Sequence, residues 1–82
     1  KMSVINKICI KYGIKLEEIA YIGDDINDLE AIKSVGFGCC VNDAVDRVKS
    51  AAKYITKAKG GEGAVREVAE LILEHKLDKQ IM

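Results

Sequence analysis

The chain has 82 residues, and its 13 basic and 13 acidic side chains cancel. That length makes one small domain or a piece of a larger one. Balanced, interleaved charge leaves neither a nucleic-acid footprint nor a polybasic membrane patch. No apolar run approaches the roughly 18–20 residues that span a bilayer, and no secretory signal precedes the first periodic segment. Cys9, Cys39 and Cys40 are an odd set with two neighbours adjacent, a poor disulfide framework; they read as reduced core thiols of a cytoplasmic protein. The chain opens at Lys1 rather than a methionine and contains no proline. It is read as a single-domain fragment spanning 1–82.

Val4, Ile5, Ile8, Cys9 and Tyr12 recur at helical spacing, and Gly13 follows as a natural helix stop. Ile19–Ile22 is apolar without alternation, as in a strand covered on both faces. A second helix is predicted from about Asn27 to Val35, with Asn27 and Glu30 as a capping box and Gly36 as the stop. Phe37–Val41 reads as the next buried strand. Asn42 then caps a helix that carries Ala44, Val45, Val48 and Ala52 inward. Tyr54-Ile55-Thr56 is a short third strand, and Lys57–Gly63 a basic, glycine-rich loop. A last helix, about Ala64 to His75, should bury Val65, Val68, Ala69, Ile72 and Leu71, with 76–82 as a frayed tail.

This order implies an α/β fold with a three-stranded parallel sheet flanked by helices and right-handed crossovers. Ile19–Ile22 is too apolar for a free edge, so a covering element is expected from outside this sequence.

Ile22-Gly23-Asp24-Asp25-Ile26-Asn27-Asp28 is the stretch that carries chemistry. Acids favour a helix start by about 0.3–1 kcal/mol each, which accounts for one or two of them and not for adjacent Asp24 and Asp25 at a strand end. A calcium loop fails in either register, since Ile26 or Leu29 falls on a ligand position. A magnesium site that handles phosphate fits better. Asp24 emerges directly from the strand as the ligand, with Asp25 and Asp28 holding metal-bound waters or neighbouring donors. Open α/β sheets build ligand sites at such carboxyl ends.

Gly23-Asp24-Asp25-Ile26-Asn27-Asp28 resembles the fourth motif of the haloacid dehalogenase superfamily, mostly magnesium-dependent phosphatases. Lys1 stands at the spacing of that superfamily's third-motif lysine. Gly60-Gly61-Glu62-Gly63-Ala64-Val65-Arg66-Glu67 resembles the C-terminal signature of the 3-deoxy-D-manno-octulosonate 8-phosphate (KDO 8-phosphate) phosphatases. Their relatives include ulosonic and sialic acid phosphate phosphatases and the C-terminal domain of some acylneuraminate cytidylyltransferases. The resemblance runs from Lys1 to about Leu73.

The resemblance implies a partial Rossmann-like core, a magnesium cofactor and hydrolysis of a sugar-acid phosphate through an aspartyl-phosphate. It implies Asp24, Asp25 and Asp28 as the metal half-site and Lys1 as the phosphate-side lysine. Gly60, Gly61 and Arg66 become substrate-side residues, the glycines through backbone N–H groups and Arg66 by pairing with a carboxylate; Arg66 could equally pair with Glu62 or Glu70 on the surface. The intact protein is expected to be a cytoplasmic homo-oligomer, a tetramer. One departure is plain: the family's nucleophile strand ends in Asp-x-Asp, and no Asp-x-Asp occurs here. The chain therefore reads as the C-terminal half of the fold, with the nucleophile strand and a small β-hairpin cap upstream, and as inactive alone. Two other classes share some of these features. A receiver-type signalling module needs a further acid two strands later, where Tyr54-Ile55-Thr56-Lys57 has none. A non-catalytic remnant keeps the fold without the chemistry.

Overall fold

The structure is a computed structural model that describes residues 2–81, with side chains described as far as His75. Lys1 and the side chains of the expected tail at 76–82 lie outside the described residues. Four helices, α1 (Met2–Tyr12), α2 (Leu29–Ser34), α3 (Asp46–Ala51) and α4 (Ala64–Ile81), alternate with three strands, β1 (Ala20–Gly23), β2 (Phe37–Cys40) and β3 (Tyr54–Ile55). The strands are all parallel in the order β1-β2-β3. Ala20 pairs with Phe37 and Gly23 with Cys40, and Cys39 pairs with Tyr54. This is the parallel α/β sheet expected from the alternation of elements.

The central strand β2 carries the core. Cys39 and Cys40 have no exposed surface. Ile32, Cys40, Val41, Ala44, Val48 and Ala64 form one buried cluster, which joins α2, α3 and the start of α4 to the sheet. Both cysteines and Cys9 are free thiols. Burial pushes the Cys39 thiol up to about 11, with the neighbouring Cys40 adding to the shift.

Helix ends depart from the sequence reading. α2 is preceded by a 3-10 turn, Ile26–Asp28, and the box that starts it pairs Asp25 with Asp28 rather than Asn27 with Glu30. Asp25 is the residue in extended backbone (φ −127°, ψ 163°), and its carboxylate accepts from Ile26 N at 2.7 Å. Asn42 does not cap α3. Its side-chain amide donates to Thr56 O at 3.1 Å, and α3 begins four residues later, after Val45 in extended backbone. Ala44 and Val48 face inward as expected, but Val45 is exposed. On α4 the inward stripe is Ala64 and Val68, one turn apart. Val65, expected inside, is 71% exposed, and Ala69 is exposed as well. α4 also runs past His75 to Ile81.

α1 ends at Gly13, where Ile14 N donates to Cys9 O at 3.1 Å, a Schellman closure. Of its apolar face only Ile5 is buried; Val4 and Ile8 are exposed. These residues, with Ile14, Ile19, Ala20 and Tyr21, line an apolar groove along the outer side of β1. β1 is thus an edge strand, bonded to β2 alone among the described residues. No helix among them is long and apolar enough to cross a membrane.

Candidate functional site

β1 delivers Gly23 and Asp24 to the carboxyl end of the sheet, and the chain turns at once into the Ile26–Asp28 turn. That turn folds Asp28 back over the strand end. Asp28 is a carboxylate only 4% exposed. Its Oδ1 accepts from the Tyr21 hydroxyl at 2.6 Å, and its Oδ2 accepts from the N–H groups of Asp24 at 3.0 Å and Asp25 at 3.2 Å. A buried carboxylate needs such donors, and hydrogen bonds to a charged group contribute about 1.5–3 kcal/mol each. Burial first, then its hydrogen bond to Asp28 and the charges of Asp28 and Asp24, together push the Tyr21 phenol up to about 12. Gly23 is required by contact: a Cβ there would stand 2.5 Å from Asp28 Cβ.

Asp24 and Asp25 are left to point outward. Asp25 spends its carboxylate on capping Ile26. The Asp24 carboxylate has no hydrogen-bond partner among the described residues and opens on a cavity of about 580 Å³. Gly23, Asp24 and Asp28 form one side of that cavity, Ile22 and Val41 line it from the sheet, and Gly61, Gly63, Ala64 and Val65 form the facing wall.

That wall is the end of the glycine loop. Gly61 (φ 80°) and Gly63 (φ 95°) take left-handed backbone that side chains resist. Upstream, the Glu67 carboxylate accepts from Lys57 N at 2.8 Å (Oε2) and 3.0 Å (Oε1), from Ala58 N at 2.9 Å, and from the Tyr54 hydroxyl at 2.5 Å. The Tyr54 hydroxyl, followed by the two amides, holds Glu67 below the usual carboxylate range, and the same hydrogen bond raises Tyr54. Asp43 Oδ1 accepts from Gly60 N at 2.9 Å, and that amide lowers Asp43.

Asp24, Asp28 and Gly61 from the sequence reading therefore share one cavity. Asp25 and Gly60 stand beside it with their polar groups engaged locally. Arg66 is 84% exposed and pairs with Glu70 at 2.9 Å, the surface alternative. Sequence reasoning missed Tyr21, Asp43, Tyr54 and Glu67. Its one available signal was that Tyr21 and Tyr54 are hydroxyl-bearing residues in otherwise apolar strands, and a half-buried phenol needs a partner.

The residues present fit a magnesium ion. The Asp24 carboxylate at the cavity accepts no hydrogen bond from another described residue. Among the described residues no three His, Cys, Asp or Glu side chains gather into a cage. Magnesium takes one or two carboxylates and completes its shell with water and phosphate oxygens, whereas structural zinc needs four protein ligands.

The signature of the haloacid dehalogenase-like hydrolases matches residues 1–68. The chain is 38% identical over 81 residues to the 3-deoxy-D-manno-octulosonate 8-phosphate phosphatase KdsC of Escherichia coli (strain K12), covering 96% of this chain and 43% of that one. It is 38% identical over 68 residues to a phosphoglycolate phosphatase of Methanosarcina acetivorans, covering 83% and 30%. The 3-deoxy-D-manno-octulosonate 8-phosphate phosphatase of Moraxella catarrhalis, solved with magnesium, phosphate and KDO, superposes with a TM-score of 0.87 at 42% identity, over 99% of this chain and 48% of that one. The chain spans less than half the length of each of these relatives. By signature, by sequence and by fold, this chain belongs to the haloacid dehalogenase-like hydrolase family.

Proposed function

We propose that this chain supplies the metal-binding loop and the facing glycine wall of a magnesium-dependent phosphatase acting on a sugar-acid phosphate, KDO 8-phosphate or a related ulosonate or sialic acid phosphate. The observation that carries the reading is the contrast within one turn. Asp28 is engaged by three donors among the described residues, while Asp24 beside it opens on the cavity at the strand ends. Asp24 would hold the magnesium, with Asp25 and Asp28 behind it. When bound, the ion supplies positive charge against phosphate oxygens. Phosphoryl transfer depends chiefly on positioning and charge stabilisation. Asp28 keeps the amides of Asp24 and Asp25 fixed, so Asp24 meets its ligand without reorganising. Lys1 would neutralise the phosphate. The Gly61–Val65 wall would face the organic part of the substrate, with Gly60 fixed on Asp43 behind it and Arg66 free to leave Glu70 for a substrate carboxylate.

The attacking aspartate is supplied by a complementary segment that carries an Asp-x-Asp strand. The relatives' greater length leaves room for such a segment, and the apolar groove beside β1 suits it. The intact assembly would be a homo-oligomer.

The test is hydrolysis of an aryl phosphate and of KDO 8-phosphate by the 82 residues with magnesium, alone and combined with such a segment. No turnover alone and turnover in combination is expected. Turnover by the chain alone would show that the nucleophile has been misassigned. None in combination would favour a non-catalytic domain.

A further inference from the structure

We infer that Glu67 is a positioning residue that sets the cavity wall opposite Asp24; where turnover is concerned, this rests on the phosphatase reading above. Glu67 does not line the cavity. Its four short contacts all go to the segment that enters the glycine loop or to the strand before it: Lys57 N twice, Ala58 N and the Tyr54 hydroxyl. Its own backbone N–H donates to Gly63 O at 3.0 Å. One residue thus holds the loop at both ends, at 57–58 through its side chain and at 63 through its main chain. Between these anchors Gly60 is tied to Asp43, and Glu62 N donates to Lys59 O at 3.0 Å. What is left is a short span in which Gly61 and Gly63 sit in left-handed backbone, and those residues with Ala64 and Val65 form the wall. Glycines give this span its shape but no stiffness of their own. Stiffness has to come from the anchors, and of the two carboxylates that hold this loop Glu67 makes more contacts than Asp43.

The chemistry needs a carboxylate. The Lys57 N–H reaches both carboxylate oxygens and the Ala58 N–H one of them, so the partner must accept at both oxygens, whichever way the Tyr54 hydroxyl turns. A glutamine has the same size but presents one acceptor and one NH2, which would meet an N–H head-on. Glu67→Gln therefore removes the anchor with little change in volume. Because the wall meets the part of the substrate remote from Asp24, loosening it should weaken binding without touching the chemical step.

Two measurements test this. In the 82-residue chain, amide hydrogen exchange by NMR should show Lys57 and Ala58 exchanging at least tenfold faster in Glu67→Gln. The Gly61 and Gly63 resonances should move, and the Asp24 and Asp25 amides should stay protected. In the phosphatase-competent protein, Glu67→Gln should raise KM for KDO 8-phosphate about tenfold with kcat within twofold, and leave an aryl phosphate almost unaffected. Glu74→Gln, exposed on the same helix, serves as the control and should change neither. Unmoved Gly61 and Gly63 resonances, or a fall in kcat at unchanged KM, would overturn the inference. Absence of turnover in the wild-type protein would count against the phosphatase reading alone, and the exchange data would still decide for or against Glu67.

Discussion

The exits of β1 and β3 are built on one plan. A strand tyrosine, Tyr21 or Tyr54, and the two consecutive amides three and four positions after it converge on a single carboxylate, Asp28 or Glu67. The difference lies in reach and burial. Asp28 comes from the very next turn and is almost wholly buried, so the β1 exit is a tight knot from which Asp24 projects. Glu67 comes from the first turns of α4, across the glycine loop, in a more open setting. The first exit therefore presents a charged side chain with little freedom. The second presents main chain, and holds it from a distance. In the buried knot a lost acceptor has no substitute, whereas water can stand in at the open one.

The largest expected effect falls on Asp24. In the phosphatase-competent protein, Asp24→Asn should lower kcat by about two to three orders of magnitude, the scale of losing one preorganised electrostatic group. Its thermal midpoint should stay unchanged, because the Asp24 carboxylate makes no hydrogen bond among the described residues. Activity that survives with unaltered magnesium dependence would remove Asp24 from the metal site. Next comes the knot itself. Asp28→Ala strands the Tyr21 hydroxyl and two amides and should destabilise the chain by about 3 kcal/mol in urea unfolding, with Gly23→Ala close behind at about 1–3 kcal/mol from the forced Cβ contact. Tyr21→Phe should cost more than Tyr54→Phe in the same assay. Equal losses would erase the distinction between the buried and open exits.

The chain's alternation of elements and its acidic loop were legible because both are local. Apolar runs of strand length separated by helical periods fix a parallel α/β order, and Asp24 directly after the apolar run at Gly23 falls at the carboxyl end of the sheet. What escaped was rotation and reach. Periodicity gave the α4 stripe its spacing but not its phase. Val65 and Ala69 have the same four-residue spacing as Ala64 and Val68, and only tertiary packing, which puts Ala64 in the cluster with Val41 and Val48, chooses between them. Asn42 has the composition of a helix cap, yet a carbonyl fourteen residues away claims its amide. Glu67 stands in the sequence reading only as the last residue of the Gly60–Glu67 signature, with no role assigned, because its partners lie nine to thirteen residues upstream.

The smallest expected effect is acid loosening of the open exit. Glu67 is held below its unfolded value, so its contribution is complete above the ordinary glutamate range near 4.3 and is lost as pH falls through the lower folded value. Exchange at Lys57 and Ala58, corrected for intrinsic rates, should rise in that acid window, with the Asp24 and Asp25 amides as the internal comparison. Simultaneous release of both loops would mean that the two exits are one cooperative unit.

The two thiols in the middle strand give the molecule a built-in clock. Cys39 and Cys40 have no surface, and burial lifts Cys39 to about 11, so neither access nor thiolate chemistry favours attack by an alkylating reagent on the closed sheet. Cys9, partly exposed on α1, meets the same reagent from the outset. The interval between the first adduct and the next two is then the waiting time for β2 to come out of the sheet. Any segment that docks beside β1 should lengthen that interval, which makes assembly measurable on a balance of masses alone, before a substrate has been chosen.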